Sequence, residues 1–328
     1  MPVGLGGGGS VGVGFEAVMG TYVPPTVFVP VLSEGLKYTE TKYYSEQIRQ
    51  ESIVSDVKAG YYHVEGDIQL EVDPNNIVHW LYASRHIIAK TGAGPFEYTF
   101  TPGNQAVLTT GSGPTVTKTL SITVVRNNVV FGYAGCVVGG WEFTVEDGVL
   151  KCTMNVIGLS EAVQSDPTEA WIAPQLYGAD AHLVEVGASA AVPTFAANVD
   201  FNGFTFRANY NAEARNNLVQ SRAATYIFYG ITEAEIESEL DFLVRGDYDN
   251  MVNNTTRAVR LSSLNGGATF AAATSGIQLQ GNRVSYDAYD IGLEGMGDLV
   301  VAGFTGRCVG IAGGKAYQIN LKSPVSIT

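Results

Sequence analysis

Between Glu233 and Asp241 every second residue is acidic: Glu-Ala-Glu-Ile-Glu-Ser-Glu-Leu-Asp. A period of two belongs to a β-strand, because successive side chains leave a strand on opposite faces. A helix would scatter the same carboxylates around its circumference. Glu233, Glu235, Glu237, Glu239 and Asp241 therefore share one face, opposite Ala234, Ile236, Ser238, Leu240 and Phe242. The idea recurs upstream, where Glu65, Asp67, Glu71 and Asp73 surround Gln69, opposite Val64, Gly66, Ile68, Leu70 and Val72. Same-face neighbours ~7 Å apart repel by roughly 0.6 kcal/mol in water before salt screening. A solvated sheet face tolerates that cost. The rows read either as an ordinary open face or as a wall that repels polyanions.

Both rows run toward a short helix. After the first, Asp73 can cap a helix, Pro74 suits its first turn, and Ile77, Val78, Leu81 and Tyr82 make one apolar stripe. Asn76-Ile77-Val78 matches Asn250-Met251-Val252 at an offset of 174 (250 − 76), just after Asp247. Further on, the stretch 131–140 around Cys136 resembles 304–314 around Cys308, at an offset of 172 (308 − 136). Two anchors with nearly one offset predict a duplication: residues 1–160 with an N-terminal arm, and residues 195–328. A connector at 161–194 holds Pro167, Pro174 and an Ala-rich run.

Strands and turns fill the rest. Thr117–Val125 and Val129–Val138 flank Arg126-Asn127-Asn128, a hairpin signal; Trp141–Val145 and Val149–Val156 flank Glu146-Asp147-Gly148, a stronger one. Further strands are predicted at 199–208, 226–230, 277–287, 299–304 and 316–321. Thr39–Ala59, with Tyr43, Tyr44 and Arg49, is too long for a simple connection, and 209–224 would be its counterpart.

The net charge of −13 and the lack of a basic run argue against an ordinary nucleic-acid binder. No apolar run is long enough for a membrane helix, and the N-terminus has no pattern of a secretory signal. Cys136, Cys152 and Cys308 form no CxxC pair and read as small hydrophobes. Gly4 to Gly9 satisfies GxGxxG but has no strand before it and no helix after it, so it reads as an arm. Gly313-Gly314-Lys315 lacks the rest of a phosphate loop. His63, His79, His86 and His182 form no HExxH, and no serine sits in GxSxG. Asp247-Tyr-Asp249-Asn-Met251 starts like a calcium loop but puts Met251 where an oxygen ligand belongs. These residues lead us to expect no catalytic, metal or cofactor site.

The run Gly14-Phe-Glu16…Met19-Gly-Thr-Tyr-Val-Pro-Pro-Thr-Val-Phe28-Val-Pro30…Ser33-Glu34 resembles the opening of tail tube (major tail) proteins from long-tailed, non-contractile bacteriophages of actinobacteria. The strand 64–72 with its helix through Leu81, and the Gly135-Cys136 strand with the hairpin after it, are similar to the same family. The resemblance implies a mainly β fold: tandem tail-tube-type β-sandwich or partial-barrel units, each with one short flanking α-helix. It implies a structural virion protein, not an enzyme, assembled in the bacterial host cytoplasm into stacked rings that form a conduit for DNA ejection. Its partners would be itself, other tail proteins and double-stranded DNA as transient cargo. On this reading Glu65, Asp67, Glu71, Asp73 and Glu233 to Asp241 line the lumen, while Tyr43, Tyr44 and Arg49 reach the next ring. Two units per chain favour a trimeric ring with pseudo-sixfold symmetry over a hexamer. The alternatives are another β-rich virion component, such as a capsid decoration or neck protein, and a carbohydrate-binding or adhesive module.

Overall fold

Asp147 and Gly148 both take positive φ, 52° and 72°, and reverse the chain in a tight turn of the kind an Asp-Gly pair favours. Such turns organise a chain that is mostly strand in this computed structural model. It describes residues 9–45, 56–103, 107–109, 118–127, 129–197, 201–218, 221–241, 246–292 and 300–327. Most of the expected N-terminal arm, Arg49 and Phe242 lie outside the described residues.

The chain opens with β1 (Ser10–Phe15), β2 (Val27–Val29), β3 (Ser33–Glu34), β4 (Lys37–Tyr44) and β5 (Val57–Glu71). Helix α1 (Ile77–Tyr82) leads to β6 (His86–Thr91), β7 (Phe96–Pro102), β8 (Val107–Thr109) and β9 (Leu120–Arg126). Next come β10 (Val129–Glu146), β11 (Val149–Gly158) and β12 (Ser160–Val163). Strand β13 (His182–Ala188) lies inside the expected connector 161–194, and after it follow β14 (Phe195–Ala197), β15 (Phe201–Asn209), β16 (Ala212–Arg215), β17 (Tyr226–Tyr229) and β18 (Glu233–Asp241). Helix α2 (Gly246–Val252) precedes β19 (Arg257–Asn265), β20 (Ser275–Gly292), β21 (Val301–Cys308) and β22 (Tyr317–Ser323). Among the described residues the fold is mainly β with two short α-helices, as expected. Asp247–Met251 lies in α2 rather than in a loop.

The strand ladders branch but never return to their start, so the large antiparallel sheet is open rather than a closed barrel. Two 18-residue strands carry the branching. The first part of β10 pairs with β9 and β12, and from Val137 onward it pairs with β11 and then β15. The change of partner falls beside Gly135, whose φ is +68° and where a Cβ would lie 2.7 Å from Leu159. Its N–H donates to the buried Glu16 carboxylate at 2.8 Å. That carboxylate also accepts from Gly20 N–H and from the Thr119 and Ser121 hydroxyls. Likewise β20 pairs first with β19 and β22, then with β21.

The connectivity around the two long strands matches. In the first part, β2 pairs with β1, β1 with β9, β9 with β10, and β5 with β11. In the second, β14 pairs with β13, β13 with β19, β19 with β20, and β18 with β21. Helices α1 and α2 each follow the acidic strand, in keeping with the offset of 174. The other anchor does not fit this matching: Cys136 lies in β10 and Cys308 in β21, whereas β20 has the neighbours corresponding to those of β10.

Pairing also crosses between the parts. Strand β10 joins β15, the β6–β7 hairpin adds to β22, and β8 adds to β17. One hydrophobic core runs through both parts. At their junction the buried His86 lies between Tyr210 Oη (3.2 Å) and Tyr317 Oη (3.3 Å), and Trp141 Nε1 donates to Tyr210 Oη at 2.6 Å. Burial takes the His86 pKa down to about 3, so the ring is neutral there. All six residues of α1 are buried, not only the predicted stripe; His79 stacks on Phe15 at 5.5 Å. Cys136 and Cys152 are buried thiols whose pKa burial raises, and Cys308 is partly covered.

Candidate functional site

Eight strands form one antiparallel sheet in the order β4–β5–β11–β10–β15–β18–β21–β20. Directly paired residues share a face, so the registers trace rows across it. One row runs Gln69, Thr153, Glu142, Arg207, Glu235, Arg307, Ser285. The next runs Glu71, Lys151, Thr144, Thr205, Glu237, Thr305, Ala288. A third runs Asp67, Asn155, Gly140, Asn209, Glu233. The two acidic strands, more than 160 residues apart in sequence, thus present their carboxylates on the same side of one sheet. Between them lie only β11, β10 and β15.

The predicted alternation in β18 holds residue by residue. Ala234, Ile236, Ser238 and Leu240 are buried, Glu233 and Glu239 are exposed, and Glu235, Glu237 and Asp241 are half-buried. In β5, Glu65 and Glu71 are half-buried and Asp67 is exposed. Asp73 departs from the expectation. It is 1% exposed, and its carboxylate accepts backbone N–H groups of Asn75 and Gln175 in the turn before α1. It anchors that turn and does not belong to the open face.

The registers add carboxylates that local alternation did not reveal. The face carries Glu65, Asp67 and Glu71 from β5, Glu142 and Glu146 from β10, five from β18, and Asp287 and Asp290 from β20. Its basic residues include Lys37, Lys151, Arg207 and Arg307, with Arg283 two positions before Ser285 on β20. Lys37 lies 3.6 Å from Glu65, and Lys151 2.6 Å from Glu146. Arg207 binds Glu235 at 3.0 Å and Glu237 at 2.5 Å; Arg307 binds the other oxygen of Glu235 at 3.1 Å. The Arg207 hydrogen bond, with the charges of both arginines, holds Glu235 below the usual carboxylate range. Partial burial alone would raise Glu65, but hydrogen bonds from Thr39 and His63, with Lys37 nearby, bring it below that range. A cleft of about 640 Å3 opens on this face between Glu65, Glu142, Asn155, Arg207, Glu233 and Glu235. Among the described residues no cluster of His, Cys, Asp and Glu could hold a metal ion.

The arginines had a sequence signal that alternation does not show. Gly203-Phe-Thr-Phe-Arg207 and Gly303-Phe-Thr-Gly-Arg307 share a Gly-Phe-Thr-x-Arg pattern, and they flank β18 on its two sides in matching register.

Tyr43 and Tyr44 stand near the tip of the β4–β5 hairpin, 52% and 61% exposed. Of the predicted long connection, 39–44 and 57–59 are paired strand, and 46–55 lie outside the described residues. Arg222, beside β16–β17, reaches this hairpin through Gly60 O and Glu40, so the two expected counterparts touch. No described helix is long and apolar enough to cross a membrane.

A search of curated proteins found no match. The sequence pattern of the phage tail tube protein family, in contrast, matches residues 6–307, nearly the whole chain. An acidic, open, multi-stranded sheet face accompanies that match, and the chain belongs to the phage tail tube protein family, structural components of the virion tail.

Proposed function

We propose that three copies of this chain close into a ring and that rings stack into a tube. The acidic face lines its lumen, and double-stranded genomic DNA passes through it on ejection. The observation that carries this reading is the placement of both acidic rows on one face of one sheet. A duplex slides freely where no row of free Lys or Arg can replace its counterions. Lys37, Lys151, Arg207 and Arg307 on this face each have a carboxylate partner, and Arg283 donates to Gly310 O at 3.1 Å.

The matched connectivity around β10 and β20 supports two tube-type units per chain, 1–160 and 195–328, the second joined by β13 from the expected connector. Three chains would then supply six units; six chains per ring is the alternative. Heterologous contacts that close on themselves give such rings. The β4–β5 hairpin, with Tyr43, Tyr44 and Arg49 at or beyond its described end, reaches the neighbouring ring. The role is structural and not enzymatic, in a long non-contractile tail built in the bacterial cytoplasm beside other tail proteins.

Glu233 and Glu239 are the residues to test, since Glu235 and Glu237 also hold arginines. Replacing both by Lys should leave tubes intact yet slow DNA ejection, and added salt should restore the rate. Unaltered ejection from such particles would overturn the lumenal assignment.

A further inference from the structure

The eight-stranded sheet ends in two strands, each with a neighbour on one side. On one flank β4 pairs, among the described residues, only with β5. On the other, no described strand follows the last part of β20, from Ser285 to Gly292, which pairs with β21. All seven pairings between these ends are antiparallel. Eight is an even number, so β4 and β20 run in opposite directions. A second copy placed beside the first in the same orientation continues the antiparallel alternation without a break. An odd count would force a parallel seam.

We infer that β4 of one copy pairs with the end of β20 of the next, Thr39 opposite Ala288, as the seam between subunits. This rests on the ring proposed above and assigns the residues that close it. In this register Lys37 falls opposite Asp290 on the acidic face. Both are exposed, and opposite charges directly across an antiparallel pair attract. On the other face the seam covers Tyr38 and Ile291, which are 39% and 40% exposed in the single chain. Lysines on an edge strand discourage pairing with arbitrary strands, so an edge that offers acids at the matching positions is selected.

The register also satisfies closure. Ala288 shares a row with Glu71, whereas Thr39 stands opposite His63, a stagger of eight residues (71 − 63) along β5. At ~3.4 Å per residue that is about 27 Å, across a unit of eight strands ~38 Å wide. The strands would tilt by about 35° to the ring axis, within the range of closed barrels.

The test is a cysteine pair across the seam. Wild-type chain is first shown by sedimentation and electron microscopy to form tubes; failure there overturns the ring reading and the seam with it. Tubes of the Thr39→Cys/Ala288→Cys chain are then oxidised and run on a denaturing, non-reducing gel. Covalent multimers in the double variant and in neither single variant are expected. Double-variant tubes that stay monomeric on the gel overturn the seam and leave the tube reading intact. If the double variant does not assemble, charge reversal decides. Lys37→Glu or Asp290→Lys alone should slow assembly roughly 2- to 5-fold per seam, and the two together should restore it. No restoration overturns the seam.

Discussion

Glu235 shows how far a single residue's role depends on strands distant in sequence. Its place on an open strand face was legible from the period of two alone. Its partners were not, because Arg207 and Arg307 lie on the two neighbouring strands and meet it only through pairing register. Asp73 shows the converse error: the alternation of β5 ran one residue too far into the turn before α1, where burial and two backbone donors claim the carboxylate. The depressed pKa of Glu235 has a consequence for stability. A carboxyl held lower in the folded than in the unfolded chain stabilises above its unfolded value, near 4.5, and loses that contribution as pH falls through the folded value. Both arginines are more than a third exposed, so screening keeps the effect to about 1 kcal/mol. Glu235→Gln should therefore lower the melting temperature at pH 7 and converge on wild type at an acidic pH below the folded value. An equal deficit at both pH values would show that its pairing with arginine is not what stabilises.

Elements were legible where one side is buried and illegible where neither is. The hairpins at Asn127 and Asp147 were readable because positive-φ turns need particular residues and the flanking strands alternate. Strand β10 was expected as two pieces because Gly139-Gly140 resembles a stop; the chain runs through it as a bulge, with the register shifting between Val138 and Gly140. Strand β4 was read as a long polar connection because the residues of its outer part are exposed on both faces, which erases any apolar alternation. That exposure has meaning only if something else covers it. Tyr43→Ser/Tyr44→Ser should leave the soluble fold within about 0.5 kcal/mol of wild type, as surface changes do. If the hairpin reaches the next ring, the variant should form single rings and few long tubes in electron micrographs. Tubes of wild-type length would rule that contact out.

At the scale of the molecule, the offset of 174 between the helices foreshadowed the matched connectivity, but not the exchange that accompanies it. The β6–β7 hairpin completes the sheet edge at β22, and the core passes between the parts through Trp141, Phe206, Tyr210 and Tyr317. Such long-range pairing leaves no periodic trace in either partner. What the molecule would contribute to the proposed ring can nevertheless be put in numbers. Eight strands at ~4.8 Å and a tilt of about 35° occupy nearly 50 Å of circumference per chain. Three chains give a wall about 45 Å across, backbone to backbone, and a channel of roughly 35 Å once inward side chains are allowed for. Two would leave a channel of roughly 20 Å, too tight for a hydrated duplex, and six would leave one near 80 Å, far wider than a duplex needs. Three is the smallest number that passes DNA with its counterions still in place. A cryo-electron microscopy cross-section of the tube should show threefold symmetry, a 24-strand inner wall from three copies of eight, and two unequal junctions alternating around it. One junction would be the hydrogen-bonded β10–β15 pairing within one chain, the other the seam between chains. Six chains per ring, with β18 outside the inner wall, would refute both the stoichiometry and the two-unit reading on which it rests.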